Sequence, residues 1–441
     1  MMKSKWLEQT VTIKAARKVY LDYAGLTPID KRVMKEVERV SSADYANPSS
    51  IHTAGVAAKK ILEQSRKSVA DFIHAHPDEI FFTASGTEAN NMAMRGVIEA
   101  TKVEVLRKSA VRPQSDIHII VSEIEHTSVL ETVKDIAQRS LDGNGTYGKK
   151  IKIDLVPISS DGRIDTDAFK AMLRPETVLV SIMLANNDIG TIQPIREAAK
   201  IARDFGKMTG SKIIFHTDAC QAPLYTDINI ETLGVDLLTL DSNKVYGPRG
   251  VGMLYKKRIV KIGTDIVPIM TGGGQESGLR PGTENVPAIA GFAKALEIAT
   301  AERTGETARL SILQDYFVEG LKRCVPDIIL NGSYGYSKRL VNNINITFPG
   351  KIRDGGDSSH DFEFNHEFFL LELDARGITC STKSACLRDD DESYVVRALR
   401  TAAEIEISAQ AIRFSLGRFT TKKDIDYSLK MINEIMCRHV I

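Results

Sequence analysis

Short apolar runs alternate with longer amphipathic stretches between about residues 50 and 260. The apolar runs predict strands at EIFFT (79–83), IHIIVS (117–122), KIDLVPI (152–158), VLVSIML (178–184), KIIFHT (212–217) and VDLLTL (235–240). Several of them are apolar throughout, which is typical of strands covered on both faces. The stretches between them repeat apolar residues at helical spacing, as in AGVAAKKILEQSRKSVADFI (54–73) and PIREAAKIARDFGK (194–207). We therefore expect an α/β fold with a mostly parallel sheet and right-handed crossovers.

The pattern changes after about residue 265. A Gly-rich loop, TGGGQESGLRPGTENVP (271–287), precedes a long helical pattern, and short strands such as NNINITF (342–348) then mix with helices. A chain of 441 residues is too long for one ordinary core. The prediction is a large domain over 20–264 and a smaller α+β domain over 265–441, with residues 1–19 packing on the smaller one. Two polar, turn-rich stretches, 102–115 and 350–364, are predicted to be surface insertions.

Composition excludes several classes of function. The net charge of +1 gives no support to nucleic-acid or membrane-surface binding as the main role. No apolar run reaches membrane-spanning length, and the first residues lack the apolar segment of a signal peptide, so we expect a cytoplasmic protein.

The five cysteines are odd in number and scattered, which argues against a disulfide framework and favours a reducing compartment. Because no CxxC pair occurs, no structural zinc site is predicted. No residue of the chain is assigned as a metal ligand. Cys220, Cys324, Cys380 and Cys437 lie in apolar settings and are predicted to be small core residues. Cys386 lies in a polar stretch without helical spacing, so we expect an exposed, nucleophilic thiol.

Groups suited to ligand binding follow five of the predicted strands where each strand ends. They are Gly86 with Thr87, His126, Asn187, Asp218 with Gln221, and Lys244. The carboxyl ends of parallel strands meet at one edge of a sheet, where ligands bind. Each residue alone also fits an ordinary cap, a turn or a solvated charge. The series of five predicts a single site at that edge.

Lys244 and Asp218 together favour pyridoxal phosphate as the cofactor. A lysine amine can form a Schiff base with the cofactor, and a carboxylate keeps the ring nitrogen protonated. A helix that starts at Gly86 would offer backbone N–H groups to the phosphate. Such enzymes work on amino acids, and Arg413 in IRFSLGRFTT (412–421) can pair with an α-carboxylate, although a surface ion pair fits Arg413 equally well.

Taken in order, these motifs resemble those of the cysteine desulfurases, the NifS-like group of class V aminotransferases. The resemblance runs from YLDYAGLTP (20–28) to IRFSLGRFTT and is carried by NPSSIH (47–52), TASGTEANN (83–91), EHTSVL (125–130), NNDIGTIQPI (186–195), DACQ (218–221), KVYGPRGVG (244–252), GGGQESGLRPGTEN (272–285) and SACLRDDDESYVVRAL (384–399). It implies a fold-type-I pyridoxal-phosphate enzyme with a seven-stranded sheet, assembled as a homodimer.

The resemblance also implies a role for each candidate residue. At the cofactor ring, Lys244 carries the cofactor, His126 stacks on the ring and moves protons, and Asp218 and Gln221 hold the ring nitrogen and the phenolic oxygen. Gly86, Thr87 and Asn243 lie at the phosphate, and Thr283 reaches the phosphate of the other subunit. Asn187 and Arg413 hold the substrate carboxylate, and Cys386 takes the sulfur.

The implied reaction removes sulfur from L-cysteine, gives alanine, and leaves a persulfide on Cys386 for a sulfur-acceptor protein. Iron–sulfur cluster assembly and tRNA thiolation are both open as destinations. A selenocysteine lyase or another class V aminotransferase is the alternative, and a catalytically weakened scaffold is a third. Cys386 favours the desulfurase, since an aminotransferase has no need of it.

Three departures from the usual pattern stand near the site. Asp241 and Asn243 replace a serine and a histidine that touch phosphate in relatives. An inward-facing Asp241 would repel a phosphate, so it turns away, or Ser242 and a cation compensate, or cofactor affinity is lower. The other two departures are Tyr23-Ala24-Gly25 in place of Asn-Ala-Ala, and Ser277 in place of an arginine.

Overall fold

The computed structural model of the chain describes residues 17–108, 116–141, 150–335, 337–348, 351–352, 362–363, 365–382, 393–405 and 410–438. Cys386, most of the predicted insertion at 350–364 and the end of the one at 102–115 lie outside these ranges. No helix in the described ranges is long and apolar enough to cross a membrane.

Fourteen strands occur in the described residues. In chain order they are β1 (Val19–Tyr20), β2 (Ile80–Thr83), β3 (Ile117–Ser122), β4 (Ile151–Val156), β5 (Thr177–Ser181), β6 (Ile214–Asp218), β7 (Leu237–Asp241), β8 (Gly252–Lys256), β9 (Ile329–Leu330), β10 (Asn343–Thr347), β11 (Lys351–Ile352), β12 (Phe362–Glu363), β13 (Ile378–Thr379) and β14 (Ile412–Ser415). Seven of them form one sheet in the order β2-β8-β7-β6-β5-β3-β4. The five neighbouring strands β7-β6-β5-β3-β4 pair in parallel, whereas β8 is antiparallel to both β7 and β2. The predicted α/β fold with a mostly parallel sheet is confirmed.

The helices pack on both faces of this sheet and also occur in the C-terminal part of the chain. They are α1 (Lys31–Ala43), α2 (Thr53–Phe72), α3 (Gly86–Lys108), α4 (Thr127–Leu141), α5 (Thr166–Met172), α6 (Ile195–Thr209), α7 (Ile230–Leu233), α8 (Val286–Cys324), α9 (His366–Ala375), α10 (Tyr394–Ala403) and α11 (Lys422–Arg438). Strands β3 and β7 are buried along their whole length, as their uninterrupted apolar character predicts.

Two predicted strands run past the observed ends, 152–158 by two residues, since β4 ends at Val156, and 178–184 by three. The run 178–184 is apolar throughout, yet β5 ends at Ser181. The next three residues stay buried but leave the strand, and the N–H of Leu184 donates to the carbonyl of Asp218 at 2.8 Å. An apolar run indicates that a segment is buried, not that it is a strand. A buried turn beside a ligand site has the same composition as a buried strand, so the two are not distinguished by composition.

The C-terminal part of the chain has its own apolar cluster. Strands β14, β10 and β9 form an antiparallel sheet, and β1 pairs with β13. The packing of residues 1–19 on this part stays a prediction, since residues 1–16 lie outside the described ranges. Helix α8 joins the clusters, because its first half packs in the core of the large sheet and its second half in the C-terminal core. The division of the chain after residue 264 stays a prediction.

The prediction for Cys437 is wrong. Its side chain is exposed, whereas Cys380 is buried and Cys220 and Cys324 are half-buried. On α11 the buried residues Ile425, Met431, Ile432, Ile435 and Met436 form the inner stripe, and Cys437 falls outside it.

A buried ion pair fixes the Gly-rich loop against the edge of the large sheet. Arg66 on α2 donates to both carboxylate oxygens of Glu276, at 2.7 and 2.8 Å, and the same carboxylate accepts the N–H of Phe82 in β2. Glu276 and Ser277 both have left-handed backbone conformations, with φ of 47° and 57°. Side chains other than glycine rarely adopt that conformation without outside support, and the Arg66 pair supplies it.

Replacing Glu276 with alanine is therefore expected to lower the free energy of unfolding by about 3–5 kcal/mol, because it leaves the Arg66 guanidinium buried without its partner. Urea unfolding of the purified protein measures the change. Glu63 is the matched control, since it contacts the same arginine at 3.4 Å from an exposed position, and Glu63→Ala should cost less than about 1 kcal/mol. Equal costs for the two variants would show that the buried pair does not fix the loop.

Candidate active site

A cavity of about 220 Å³ lies beyond the carboxyl ends of β3, β5, β6 and β7, beside the start of α3. Nine of the predicted site residues line it. They are Gly86, Thr87, His126, Asn187, Asp218, Gln221, Asn243, Lys244 and Arg413. Thr283 is exposed and does not line this cavity, and Cys386 lies outside the described residues.

Lys244 ends a short 3₁₀ turn that follows β7 directly. Its Nζ donates to the carbonyl oxygens of Ala24 and Gly25, at 3.0 and 2.6 Å. Burial lowers the pKa of the Lys244 amine. A buried amine loses its proton more readily than a surface lysine does, as a nucleophile or base must.

Asp218 is the last residue of β6, and donors fix both of its oxygens. The N–H of Cys220 donates to Oδ1 at 3.0 Å, and Asn90 Nδ2 donates to Oδ2 at 2.7 Å. The carboxylate is thereby held at one orientation in the cavity wall. A buried carboxylate is costly without a cation, so it suits a positively charged ring nitrogen of a ligand.

Asn90 is not among the predicted site residues. It is buried on α3 and donates to Ser128 Oγ at 2.8 Å as well as to Asp218. Asn90 lies four residues after Gly86, a spacing that puts both residues on one face of the helix. This spacing is the sequence feature that could have identified Asn90 as a site residue.

His126 is held by the start of α4. Its Nδ1 accepts the N–H of Ser128 at 3.1 Å and lies 2.8 Å from Ser128 Oγ. Because Nδ1 accepts a main-chain N–H, the proton of the neutral ring belongs on Nε2. Hydrogen bonds thus run from His126 through Ser128 and Asn90 to Asp218.

Arg413, on β14, enters the cavity from the C-terminal part of the chain. Its guanidinium donates to Asp22 Oδ1 at 2.8 Å, to Asp188 Oδ1 at 3.2 Å and to the carbonyl of Asn187 at 3.1 Å. Asp188 is fully buried, whereas the Asp22 side chain is one-quarter exposed. Asp22 is therefore the partner that an incoming carboxylate can most easily replace.

The other amide side chains of the cavity differ in what they bind. Gln221 Nε2 donates to the carbonyl of Ala24 at 3.0 Å. The Oδ1 atoms of Asn187 and Asn243 are buried and have no hydrogen-bond partner among the described residues. Buried polar atoms are usually satisfied, so both amides are available to a bound ligand.

The layer beneath the cavity contains two buried titratable groups. Burial raises the pKa of Glu125 to about 8, and its carboxyl accepts the N–H of Met183, which lines the cavity. Burial lowers the pKa of His216 to about 4, and its two ring nitrogens contact Ser181 and Thr239. His216 is therefore uncharged at neutral pH and supplies no positive charge to Asp218 on the same strand.

At the expected phosphate end, Asp241 faces inward. Its Oδ2 accepts the N–H of Gly86 at 2.8 Å, so the first possibility, that it turns away, is wrong. The Ser242 hydroxyl lies against Gly247, since a Cβ on Gly247 would come within 2.1 Å of Ser242 Oγ. Ser242 therefore does not compensate for the negative charge of Asp241.

The chain matches the family described as "Aminotransferase class-V" over residues 19–427. Among curated relatives, a cysteine desulfurase IscS of Dictyoglomus turgidum is 39% identical over 421 residues, covering 95% of both chains. A mitochondrial cysteine desulfurase of Candida albicans is 34% identical over 432 residues, covering 98% of this chain and 79% of the relative.

Solved structures show the same likeness. A NifS-like protein superposes with a TM-score of 0.79 at 31% identity, covering 96% of this chain and all of that one. A structure described as SspA in complex with cysteine superposes with a TM-score of 0.69 at 29% identity, covering 92% of this chain and all of that one.

Proposed function

The chain belongs to the aminotransferase class-V family, and within it we propose that the chain is a cysteine desulfurase dependent on pyridoxal phosphate. The observation that carries the proposal is the match to cysteine desulfurases over 95% of both chains, with one cavity that contains a low-pKa lysine, a fixed aspartate and an arginine. Cysteine as the substrate is further supported by the related structure described as a complex with cysteine.

The cavity residues suit this cofactor at its ring. Lys244 would hold the aldehyde carbon, Asp218 the ring nitrogen and Gln221 the phenolic oxygen, with His126 against the ring. The unsatisfied Oδ1 of Asn187 supports a polar ligand group beside it. When bound, pyridoxal phosphate supplies an electron sink for the bonds at the α-carbon of an amino acid.

The protein groups then divide the remaining work. Arg413 and Asn187 bind the substrate carboxylate, with Arg413 leaving Asp22 to do so. The Lys244 amine takes and returns the proton at the substrate α-carbon, and His126 Nε2 carries a proton within reach of the same cavity.

Cys386 is the proposed sulfur acceptor. Its thiolate attacks the substrate sulfur, an S–S bond forms, the bond between that sulfur and the β-carbon breaks, and a proton added to the β-carbon completes alanine. The flanking described residues support this assignment. Ser381 pairs with the main chain of Arg413, and Ser393 Oγ donates to Asp188 Oδ2 at 2.8 Å, so the described residues on both sides of 383–392 contact Arg413 or its partner Asp188.

The homodimer and the sulfur-acceptor protein remain part of the proposal. The exposed position of Thr283, away from its own cavity, fits a residue that acts at the cavity of a second subunit. The persulfide then passes to an acceptor that supplies iron–sulfur cluster assembly or tRNA thiolation. A cytoplasmic location stays a prediction.

The proposal is tested by incubating the purified chain and pyridoxal phosphate with L-cysteine and a thiol reductant. Alanine and sulfide should form in equal amounts. L-selenocysteine, supplied in parallel, separates the desulfurase from a selenocysteine lyase, for which L-cysteine would not turn over. A keto acid in place of alanine would indicate an aminotransferase. A protein that binds the cofactor yet yields no product would be the weakened scaffold.

Asn90→Ala is expected to weaken pyridoxal-phosphate binding about tenfold, because it removes the donor that fixes Asp218 Oδ2 in a buried site. Equilibrium titration of the cofactor-free protein measures the change. Asn91→Ala is the control, since the Asn91 amide donates to the carbonyl of Thr87 and lies outside the cavity. Equal losses in the two variants would mean that Asn90 acts only through the stability of α3.

A further inference from the structure

Asp241 takes a hydrogen-bond position that a bound anion would use at the amino terminus of α3. Its Oδ2 accepts the N–H of Gly86 at 2.8 Å, and its Oδ1 accepts the N–H of Asn243 at 3.0 Å. The residue is 8% exposed and lines the cavity. Both of its carboxylate oxygens therefore already hold main-chain N–H groups.

The pairing of the sheet enforces this contact. Gly252 on β8 pairs with Asp241 on one side and with Thr83 on the other. A Cβ on Gly252 would lie 2.6 Å from the carbonyl carbon of Ser85 and 2.9 Å from the nitrogen of Gly86. The missing side chain lets α3 start directly beside the end of β7, within reach of the Asp241 carboxylate.

Among the described residues, Lys244 and Arg280 have partners other than the Asp241 carboxylate. The Lys244 amine donates to main-chain carbonyl oxygens, and Arg280 pairs with Glu88 at 2.8 Å. Burial raises the pKa of Asp241 even though two N–H groups and Lys244 act to lower it. The positive end of the α3 dipole favours an anion, and Asp241 already supplies one.

We propose that Asp241 competes with the phosphate group of the cofactor for the amino terminus of α3, and so holds the affinity for pyridoxal phosphate below what the cavity would otherwise give. The inference rests on the proposed function, since it takes pyridoxal phosphate as the ligand. Two anions at one buried N–H repel each other strongly, because solvent and salt screen them poorly there. Pyridoxal has the same ring without the phosphate and meets no such competition.

The test compares two ligands in the full-length, cofactor-free protein. Equilibrium titration, followed by ligand absorbance, gives the Kd of pyridoxal phosphate and of pyridoxal for the native chain and for Asp241→Asn. Asparagine keeps one oxygen, for one of the two main-chain N–H groups, and removes the charge. The affinity for pyridoxal phosphate should rise at least about tenfold in Asp241→Asn, whereas the affinity for pyridoxal should stay unchanged.

Three further variants separate charge from shape. Asp241→Ser, neutral and smaller, should also tighten binding of pyridoxal phosphate, and it serves as the test if Asp241→Asn does not fold. Asp241→Glu keeps the charge and should not tighten it. Asp236→Asn is the matched control: Asp236 precedes β7 at its other end, accepts the N–H of Phe215 at 3.0 Å, and also has a pKa raised by burial. It should leave both affinities unchanged.

The outcomes separate this inference from the proposed function. If the native chain binds both ligands and the neutral variants leave the ratio of their affinities at the native value, the competition is overturned and the proposed function stands. A parallel change in both affinities also overturns it, since the effect is then not on the phosphate. If the native chain binds neither ligand, the proposed function fails and this inference fails with it.

Discussion

Replacing Lys244 with alanine is expected to lower the turnover of L-cysteine by about a thousandfold or more, because the variant loses both the nucleophile and the proton-transfer group of the cavity. The amine follows β7 directly, two carbonyl oxygens orient it, and burial lowers its pKa. The visible absorption of the bound cofactor should be lost together with activity. Titration of the protein with pyridoxal phosphate, followed by visible absorbance, measures the first effect, and alanine release from L-cysteine measures the second.

Lys256 is the matched control for Lys244. It is also buried with a pKa lowered by burial, but it lies on β8 away from the cavity, where its Nζ donates to the carbonyl of Val260 at 2.9 Å. Lys256→Ala should keep the absorption band and the activity. A Lys244→Ala protein that retained native turnover would remove the lysine from the mechanism.

Replacing Cys386 with alanine is the second large effect. Alanine formation should fall by about a thousandfold, because the thiolate that accepts the sulfur is gone, while the absorption of the bound cofactor should persist. The contrast with Lys244→Ala is diagnostic, since one variant loses the cofactor signal and the other keeps it. Alanine release and the visible spectrum, recorded on the same sample, measure both.

Cys220→Ala is the control for Cys386. Cys220 lines the described cavity, but burial raises the pKa of its thiol well above the ordinary value, so it is a poor nucleophile. The Cys220 variant should keep most of the activity. If Cys220→Ala lost alanine formation and Cys386→Ala did not, the sulfur acceptor would be the cavity thiol.

Much of the fold and of the site was predictable because both depend on short-range patterns. Apolar runs of strand length, each followed by a polar residue, locate the strands and their carboxyl ends, and Lys244, Asp218 and His126 lie at those ends. The parallel pairing of the sheet then brings groups that are far apart in sequence to one edge. The resemblance added Thr283 and gave Cys386 its role as sulfur acceptor, and for neither does a strand end give a signal.

The parts that were missed depend on packing between distant segments. Asn90 reaches Asp218 because α3 packs over the end of β6, and its spacing from Gly86 predicts only the helix face on which it lies. Asp241 faces inward because Gly252 lets α3 come close to β7, a contact that depends on the sheet order. Cys437 is exposed because of its angular position on α11, which a nearby apolar composition does not reveal.

The most direct test of the desulfurase assignment is a single-turnover reaction without reductant. The native protein, loaded with pyridoxal phosphate, is mixed with L-cysteine, quenched, digested and analysed by mass spectrometry, and the released alanine is counted. The prediction is one alanine per loaded site and a gain of one sulfur atom on the peptide that contains Cys386. Loaded protein that released no alanine, or that released alanine while the Cys386 peptide kept its native mass, would contradict the proposed mechanism.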